Sequence, residues 1–333
     1  MTPVTVLTGF LGSGKTTLLA KLLRSPELSR TAVIVNEFGE VGIDHELVEA
    51  SDESFVQLTT GCLCCKVRSD LVLTLQDLAA RRAAGSIAAF ERVVIETSGL
   101  ADPASILQAL MIDPGVGEVY RLHGVVTTVD AVAGARTFDR HPQSVRQVAV
   151  ADLVVLTKSD LAEARSADLE CRVRELNPGA AIEVATFGGL APVALLAAGG
   201  LCAVGRLAQL GAHPAGRHGE TIASLSFVRE RPVSAVALAL FLQALAEHCG
   251  DGLLRMKGLV RVREAPERPA VIHGVQHVFH PPEWLEAWPT QDRRTRMVLI
   301  GEHLPPLRWL QNLLDALDNE VEEETARRRA CAA

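Results

Sequence analysis

The sequence predicts an α/β fold with a mainly parallel sheet covered by helices, followed by a smaller C-terminal α+β domain. In the first half, short apolar runs alternate with helical patterns, which favours a parallel sheet. These runs are continuously apolar, as is typical of strands buried on both faces. The composition then changes after about residue 186. With 333 residues, 48% of them hydrophobic, the chain is long enough for two domains.

The first domain is expected over residues 1–205. It begins with a strand at Val4–Thr8 and a helix at Thr16–Arg24. Amphipathic spacing predicts a further helix over 70–84. The remaining strands of this domain are predicted by the apolar runs 32–35, 92–95, 124–127 and 153–156.

The second domain is expected over residues 221–318, after a linker at 206–220 that contains His213 and His218. The sequence between 186 and 219 is rich in Gly and Ala, which suggests a connecting segment. A charged, flexible tail is expected over 319–333. Within the domain, strands are predicted at 223–228, 258–262 and 296–301, and helices at 233–246 and 307–317.

Charge and hydropathy exclude several kinds of partner. The net charge of -7 argues against nucleic acid. The most apolar stretch, residues 233–246, is too short for a bilayer, which requires ~20 residues. The chain starts directly with its first predicted strand, so we expect no signal peptide. A cytoplasmic location follows, where seven cysteines do not indicate a disulfide framework.

The segment Gly9–Thr16 (GFLGSGKT) matches the phosphate-binding pattern G-x-x-x-x-G-K-[ST], between a predicted strand and a predicted helix. Gly9, Gly12 and Gly14 allow the backbone to curl so that its N–H groups point at one anion. Lys15 would reach the outer phosphates, and the Thr16 hydroxyl would bind Mg²⁺. The sequence therefore predicts a P-loop NTPase.

A carboxylate and a glycine after the next strand fit the same site. Glu96 directly follows the apolar run that ends at Ile95. Beside a P-loop, this carboxylate could hold Mg²⁺ through a water or orient the attacking water. Gly99 would allow its loop to approach the γ-phosphate. A glutamate at a strand end is common, so the prediction depends on its combination with the P-loop.

The tetrapeptide Thr157-Lys158-Ser159-Asp160 follows the apolar run 153–156 and favours GTP over ATP. Asp160 could accept hydrogen bonds from guanine N1–H and the 2-amino group, a donor pair that adenine lacks. Lys158 would lie along the base. The usual form of this motif begins with Asn where this chain has Thr157.

Three cysteines within four residues, Cys62, Cys64 and Cys65, predict a metal site. Thiolates suit Zn²⁺, Cu⁺ or, less strongly, Co²⁺, and three ligands leave one tetrahedral position open. Buried small side chains and a redox pair are the alternatives. Glu37 and Glu40, which precede the cysteines, could assist the metal or be ordinary surface charges.

These motifs together resemble the CobW family of P-loop GTPases, a metal-handling branch related to the nickel and urease maturation GTPases. The resemblance also extends into the second domain, through 254–258, 273–276 and 297–301. The segments of the first domain that carry it are GFLGSGKTTLL at 9–19, NEFGEVGID at 36–44, GCLCC at 61–65, ETSGLADP at 96–103 and TKSD at 157–160.

The resemblance implies a GTPase that delivers a metal ion, with GTP, Mg²⁺ and Zn²⁺ (or Co²⁺) as ligands and an unidentified client apo-metalloprotein as partner. It makes Cys62, Cys64 and Cys65 the ligands of the transported metal. It assigns phosphate and Mg²⁺ binding to Gly12, Ser13, Gly14, Lys15, Thr16 and Thr17.

Two departures stand out: the histidine-rich stretch of many members is reduced to His213 and His218, and His273 replaces the usual Gln. Neither the role of His273 nor any help from the other two histidines in metal transfer follows from the sequence. A metal sensor or buffer with structural nucleotide is the alternative function, and a small-molecule kinase is disfavoured. The sequence leaves open the client, the metal in the cell and the oligomeric state.

Overall fold

The computed structural model describes residues 1–38, 55–60, 64–161, 166–211, 213–218 and 222–332. The chain divides into two compact units, Met1–Ala203 and Val204–Ala333. Each unit contains its own β-sheet, and each apolar cluster of described residues falls within one unit.

The first unit is built on a parallel sheet with the strand order β3-β2-β4-β1-β5-β6-β7. Every apolar run predicted as a strand in this unit forms one, so the predicted fold class is confirmed. The strands are β1 (Thr2–Gly9), β2 (Thr31–Phe38), β3 (Phe55–Thr60), β4 (Arg92–Thr97), β5 (Tyr120–Asp130), β6 (Leu153–Thr157) and β7 (Ala181–Val184).

Helices cover both faces of this sheet. Along β6, Leu153 and Val155 belong to one apolar cluster, whereas Val154 and Leu156 belong to another. Alternate residues of a strand point to opposite faces, so both faces of β6 are buried. The helices are α1 (Lys15–Leu22), α2 (Cys64–Ala83), α3 (Ala104–Ile112), α4 (Pro114–Gly117), α5 (Gly134–Arg140), α6 (Pro142–Ala149), α7 (Ser166–Leu176) and α8 (Pro192–Leu196). The next helix, α9 (Gly200–Leu207), contains the division between the two units.

The strand order places a ligand-binding edge at the carboxyl end of β1. The chain runs to one side of β1 for β2 to β4 and to the other side for β5 to β7. In open parallel sheets, ligands bind outside the carboxyl ends of the strands at such a reversal. The segments that follow Gly9, Thr97, Asp130 and Thr157 all leave the sheet at this edge.

In its described residues, the second unit contains an antiparallel sheet and two helices that follow α9. Its strands lie in the order β12-β11-β10-β14-β9-β8, and β13 pairs with β11. Helix α10 (Ala235–Cys249) begins where the Ser234 hydroxyl accepts a hydrogen bond from the Ala237 N–H. Helix α11 (Leu307–Ala332) packs against α10 over a shared apolar cluster. The strands are β8 (His213–His218), β9 (Ile222–Arg229), β10 (Leu253–Val260), β11 (Ala270–Val275), β12 (Val278–Phe279), β13 (Glu283–Trp284) and β14 (Thr295–Glu302).

Two segments differ from their sequence-based expectation. β8 lies within the segment 206–220 expected to be a linker, and it forms an edge of the second sheet by pairing with β9. The segment 319–333, expected to be a flexible tail, continues α11 as far as Ala332. Ion pairs at i,i+4 spacing, such as Glu323–Arg327 and Glu324–Arg328, support this last part of the helix.

None of the helices in the described part of the chain combines the length and apolar character that crossing a membrane requires.

Candidate nucleotide site

The P-loop has a backbone conformation that requires its glycines. Gly9, Gly12 and Gly14 have φ values of 142°, 71° and 88°. A Cβ atom on Gly9 would lie 2.3 Å from Thr128 Oγ1 and 2.5 Å from the Thr128 carbonyl oxygen. Gly14 adopts the left-handed conformation immediately before α1. The loop therefore passes close to β5 at a position where no side chain can be accommodated.

The Lys15 side chain is enclosed by the loop that carries it. The residue is only 9% exposed, and Nζ donates to the Gly9 carbonyl at 2.9 Å and to the Phe10 carbonyl at 3.4 Å. The only cation of the P-loop thus lies on the same segment as the backbone N–H groups. Such an arrangement attracts phosphate oxygens through charge and through N–H donors together.

Buried hydroxyls from two other strands support the P-loop. Ser13 Oγ lies 2.7 Å from Thr128 Oγ1 at the end of β5, and the Ser13 carbonyl accepts from Thr157 Oγ1 at 2.7 Å. All three side chains are buried. Ser13 and Thr157, both predicted to bind nucleotide, are therefore in direct contact, and in this structure Thr157 fixes the P-loop backbone.

The structure also brings together Thr16 and Glu96, the two residues predicted to hold Mg²⁺. Thr16 Oγ1 donates to Glu96 Oε1 at 2.6 Å, although 80 residues separate them. Glu96 lies in β4 and is only 4% exposed. A hydroxyl and a carboxylate are hard oxygen donors of the kind that Mg²⁺ prefers. Thr17, by contrast, is exposed.

Gly99 lies against the backbone of the P-loop. A Cβ atom at this position would be 2.7 Å from Leu11 N and 2.8 Å from Leu11 Cα. Gly99 itself is buried, and the neighbouring Ala101 N–H donates to the Ser98 carbonyl in a tight turn. The turn after β4 therefore approaches the P-loop so closely that a side chain at Gly99 would overlap the backbone of Leu11.

At the other end of the site, Lys158 and Asp160 contact different groups. Asp160 Oδ1 accepts from the Phe187 N–H at 2.8 Å, in the segment after β7. Lys158, with a positive φ of 57°, forms a 2.7 Å ion pair with Asp130 Oδ2. Asp130 Oδ1 also accepts from the backbone N–H groups of Val132 and Ala133. Burial tends to raise the Asp130 pKa, but these hydrogen bonds outweigh it and hold the pKa below its usual value.

Several residues at this edge of the sheet were not predicted from the sequence. Asp130 ends a strand that was predicted only as far as Thr127, and its polar character at a strand end was the available signal. The Phe10 ring stacks on His141, with the ring centroids 4.5 Å apart. Gln147 and Arg146 of α6 contact the turn that contains Gly99. The sequence carries no signal for these last contacts, since both partners are ordinary polar groups far apart along the chain.

Part of the predicted metal-binding motif, including Cys62, lies outside the described residues, and so does Glu40. Cys64 and Cys65 are the first two residues of α2, and Glu37 belongs to β2. Within the described ranges, no group of three or more His, Cys, Asp and Glu side chains could hold a metal ion. The metal role of these residues stays a prediction.

Comparison with known proteins identifies both halves of the chain. Residues 3–183 match the CobW/HypB/UreG nucleotide-binding domain, and residues 222–317 match the C-terminal domain of the cobalamin synthesis protein CobW. The chain is similar to the zinc chaperone YjiA of Escherichia coli K12, with 33% identity over 91% of this chain and 94% of YjiA. It is also similar to the zinc chaperone CobW of Pseudomonas aeruginosa PAO1, with 33% identity over 95% of this chain and 91% of that protein.

A solved structure supports the same conclusion. The fold is similar to that of Zn(II)-bound YjiA GTPase from E. coli, with a TM-score of 0.70, 26% identity and coverage of 95% of this chain and 98% of the other. The two matched domains follow one another in the order that the P-loop unit and the antiparallel unit have here. The chain therefore belongs to the CobW/HypB/UreG family and is a P-loop GTPase with a CobW-type C-terminal domain.

Proposed function

We propose that this GTPase is a metallochaperone that binds zinc through Cys62, Cys64 and Cys65 and transfers it to a client apo-metalloprotein. One observation carries the proposal. β3 ends at Thr60, one residue before the GCLCC motif, and α2 begins at Cys64. The motif is therefore bounded by elements whose ends lie at the carboxyl edge of the sheet, where the P-loop also lies.

The nucleotide chemistry begins with the P-loop. Lys15 Nζ exchanges its two carbonyl acceptors for oxygens of the outer phosphates, and the N–H groups of the loop bind the same anion. Thr16 and Glu96 would hold Mg²⁺, because both present hard oxygen atoms and the hydrogen bond between them places those atoms side by side. When bound, Mg²⁺ supplies positive charge that stabilises the transferring phosphoryl group. The N–H of Gly99 would lie beside the γ-phosphate, and Glu96 would orient the attacking water.

Base selection depends on Asp160. Its carboxylate exchanges the Phe187 N–H for the N1–H and 2-amino donors of guanine. The left-handed backbone at Lys158 and the ion pair of this residue with Asp130 fix the loop that presents Asp160. This arrangement supports GTP as the nucleotide.

Zinc is the proposed cargo because soft thiolates suit this ion and because two similar proteins are named zinc chaperones. Three thiolates leave one coordination position free for a ligand from the client. Glu37 and Glu40, which come shortly before the cysteines in sequence, could supply a further oxygen ligand. Since the cysteines follow β3 and Glu96 is the penultimate residue of β4 in the same sheet, the nucleotide and the metal can be coupled through the loops at this edge.

The proposal predicts reciprocal linkage between metal and nucleotide. If GTP–Mg²⁺ tightens zinc binding, zinc must tighten GTP–Mg²⁺ binding by the same factor, typically about 5- to 150-fold. Zinc should be titrated into the protein loaded with GDP and into protein loaded with a non-hydrolysable GTP analogue. Equal zinc affinities in the two states would contradict delivery and favour a metal buffer.

Substitution tests the proposed metal ligands. Cys64→Ala should weaken zinc binding strongly and remove the thiolate-to-metal absorption of the cobalt form, because at most two thiolates of the motif remain. Cys171→Ala is the matched control, since Cys171 is an exposed free cysteine in α7. If both variants bind metal like the wild type, the GCLCC motif is not the site.

A further inference from the structure

We infer that Gln147 and Arg146 of α6 are positioning residues that set where the turn Ser98–Asp102 lies against the P-loop. Through that turn they determine how strongly the site prefers GTP to GDP. The inference deepens the proposed function, because it rests on the proposed place of Gly99 beside the γ-phosphate.

Gln147 holds the turn through two carbonyl oxygens. Its side chain is fully buried, and Nε2 donates to the Gly99 carbonyl and to the Ala101 carbonyl, each at 3.2 Å. The Gln147 backbone is itself held, since its carbonyl accepts from Thr127 Oγ1 of β5 at 2.8 Å. A side chain 48 residues away in sequence thus ties the turn to the sheet.

The chemistry of this contact suits an amide. Both facing groups are carbonyl oxygens, and the Gln147 amide supplies two N–H donors without bringing a charge into this buried position, whereas a carboxylate would be repelled. Within the described part of the chain, Gln147 Oε1 has no hydrogen-bond partner although it is buried. Burying this oxygen without a hydrogen bond costs free energy, so the two N–H donors are the part of the amide that serves the contact. Gln147 also lines a cavity of about 40 Å³ together with Phe10, Leu11 and Ser144.

Arg146 holds the far end of the same turn. Its Nη1 lies 3.1 Å from Asp102 Oδ2, and the other oxygen of Asp102 accepts from the Ala104 N–H at the start of α3. Because Arg146 and Gln147 are adjacent, one turn of α6 contacts the loop at Gly99, Ala101 and Asp102.

The same segment also contacts the P-loop. His141, immediately before α6, stacks on Phe10, and the turn itself meets Leu11 at Gly99. Residues 141–147 therefore contact both the P-loop and the turn Ser98–Asp102, and these contacts set the distance between the two. GDP carries no γ-phosphate, so a displaced turn should weaken binding of GTP and leave binding of GDP unchanged.

The test uses Gln147→Met, which keeps the length of the side chain and removes both donors. Gln143→Met is the matched control, because Gln143 is exposed on the same short helix. Affinities for GDP and for a non-hydrolysable GTP analogue are measured on the full chain with Mg²⁺. We expect Gln147→Met to lower the preference for the analogue by about five- to 25-fold, since two hydrogen bonds are lost and each is worth about a factor of five.

In the same assay, GDP affinity should stay within about twofold of the wild type, and Gln143→Met should change neither nucleotide. A parallel fall in both affinities would show a merely structural role and overturn the inference, as would unchanged values in Gln147→Met. A third variant, Gly99→Ala, separates this outcome from failure of its premise. If Gly99→Ala selectively weakens the analogue and Gln147→Met does not, only the inference fails; if Gly99→Ala has no selective effect, the proposed role of the turn fails too.

Arg146 provides a second route should Gln147→Met not fold. Arg146 and Asp102 are both about one-third exposed, so Arg146→Gln should leave the fold intact. It should lower the preference for the analogue by about two- to fivefold, and Arg146→Lys should restore part of it by retaining a cation near Asp102. Wild-type preference in Arg146→Gln would contradict the role assigned to this residue.

Discussion

The contact between Gly99 and Leu11 gives a quantitative prediction for Gly99→Ala. The added Cβ would meet two backbone atoms of Leu11, at 2.7 Å and 2.8 Å, and backbone atoms cannot rotate away. Because ordinary contacts begin at 3.4 Å, the turn and the P-loop must separate by about 0.7 Å. Displacing a catalytic group by about 1 Å can lower a rate by about 100-fold. We therefore expect kcat for GTP hydrolysis to fall by about 10- to 100-fold.

The assay for this prediction is single-turnover GTP hydrolysis, with GDP affinity measured in parallel. Gly117→Ala is the matched control, since a Cβ there meets no atom within 4 Å and no positive φ is involved. Both variants should keep GDP affinity within about threefold, because GDP lacks the γ-phosphate that the displaced turn would approach, although overpacking itself typically lowers stability by about 1–3 kcal/mol. A folded Gly99→Ala protein that hydrolyses GTP at the wild-type rate would refute the reasoning from this contact.

Two further predictions concern carboxylates. Asp160→Asn loses the paired acceptor and gains an amide donor that suits a 2-oxo group, so competition among GTP, ATP and XTP should shift from GTP toward XTP; an unchanged order would contradict the assigned role. In the second unit, Asp318 is fully buried and pairs with Arg229 and Arg263 at 2.9 Å. Asp318→Asn should destabilise the protein by about 3 kcal/mol, whereas Asp315→Asn should cost at most about 1 kcal/mol, because the Asp315 carboxylate that pairs with Arg229 is itself exposed to solvent. Burial tends to raise the Asp318 pKa, but hydrogen bonds from Ser234 and Arg229 and the arginine charges lower it overall. The wild type should therefore have a higher Tm than Asp318→Asn, by the full amount above the unfolded pKa near 3.8. The two Tm values should converge as the pH falls through the lower folded pKa.

Features that depend on neighbouring residues were predictable from the sequence. The P-loop is defined within eight residues by three glycines with positive φ, Lys15 and Thr16, and its strand and helix follow from local apolar runs. The alternation of strands and helices along the chain was predictable because continuously apolar segments of these lengths are typical of strands buried on both faces. Local composition was less reliable for β8, where Gly, Pro and His suggested a linker. There the hydrogen bonds to β9 outweigh local preference.

Only the tertiary structure decided which distant groups meet. The sequence proposed Thr16 and Glu96 for one ion, but their 2.6 Å contact exists because β1 and β4 are neighbours in the sheet. It gave no indication that Gln147 would hold the turn at Gly99, because a polar residue in a short helix has the same local appearance whether it faces solvent or a carbonyl. The sequence by itself therefore determined the family, the P-loop and five of the seven strands of the first sheet, all of which depend on short-range spacing. The fold decided the partners of Glu96, Asp130 and Gln147, because contacts between distant segments depend on strand order and on the helix that packs beside each strand end.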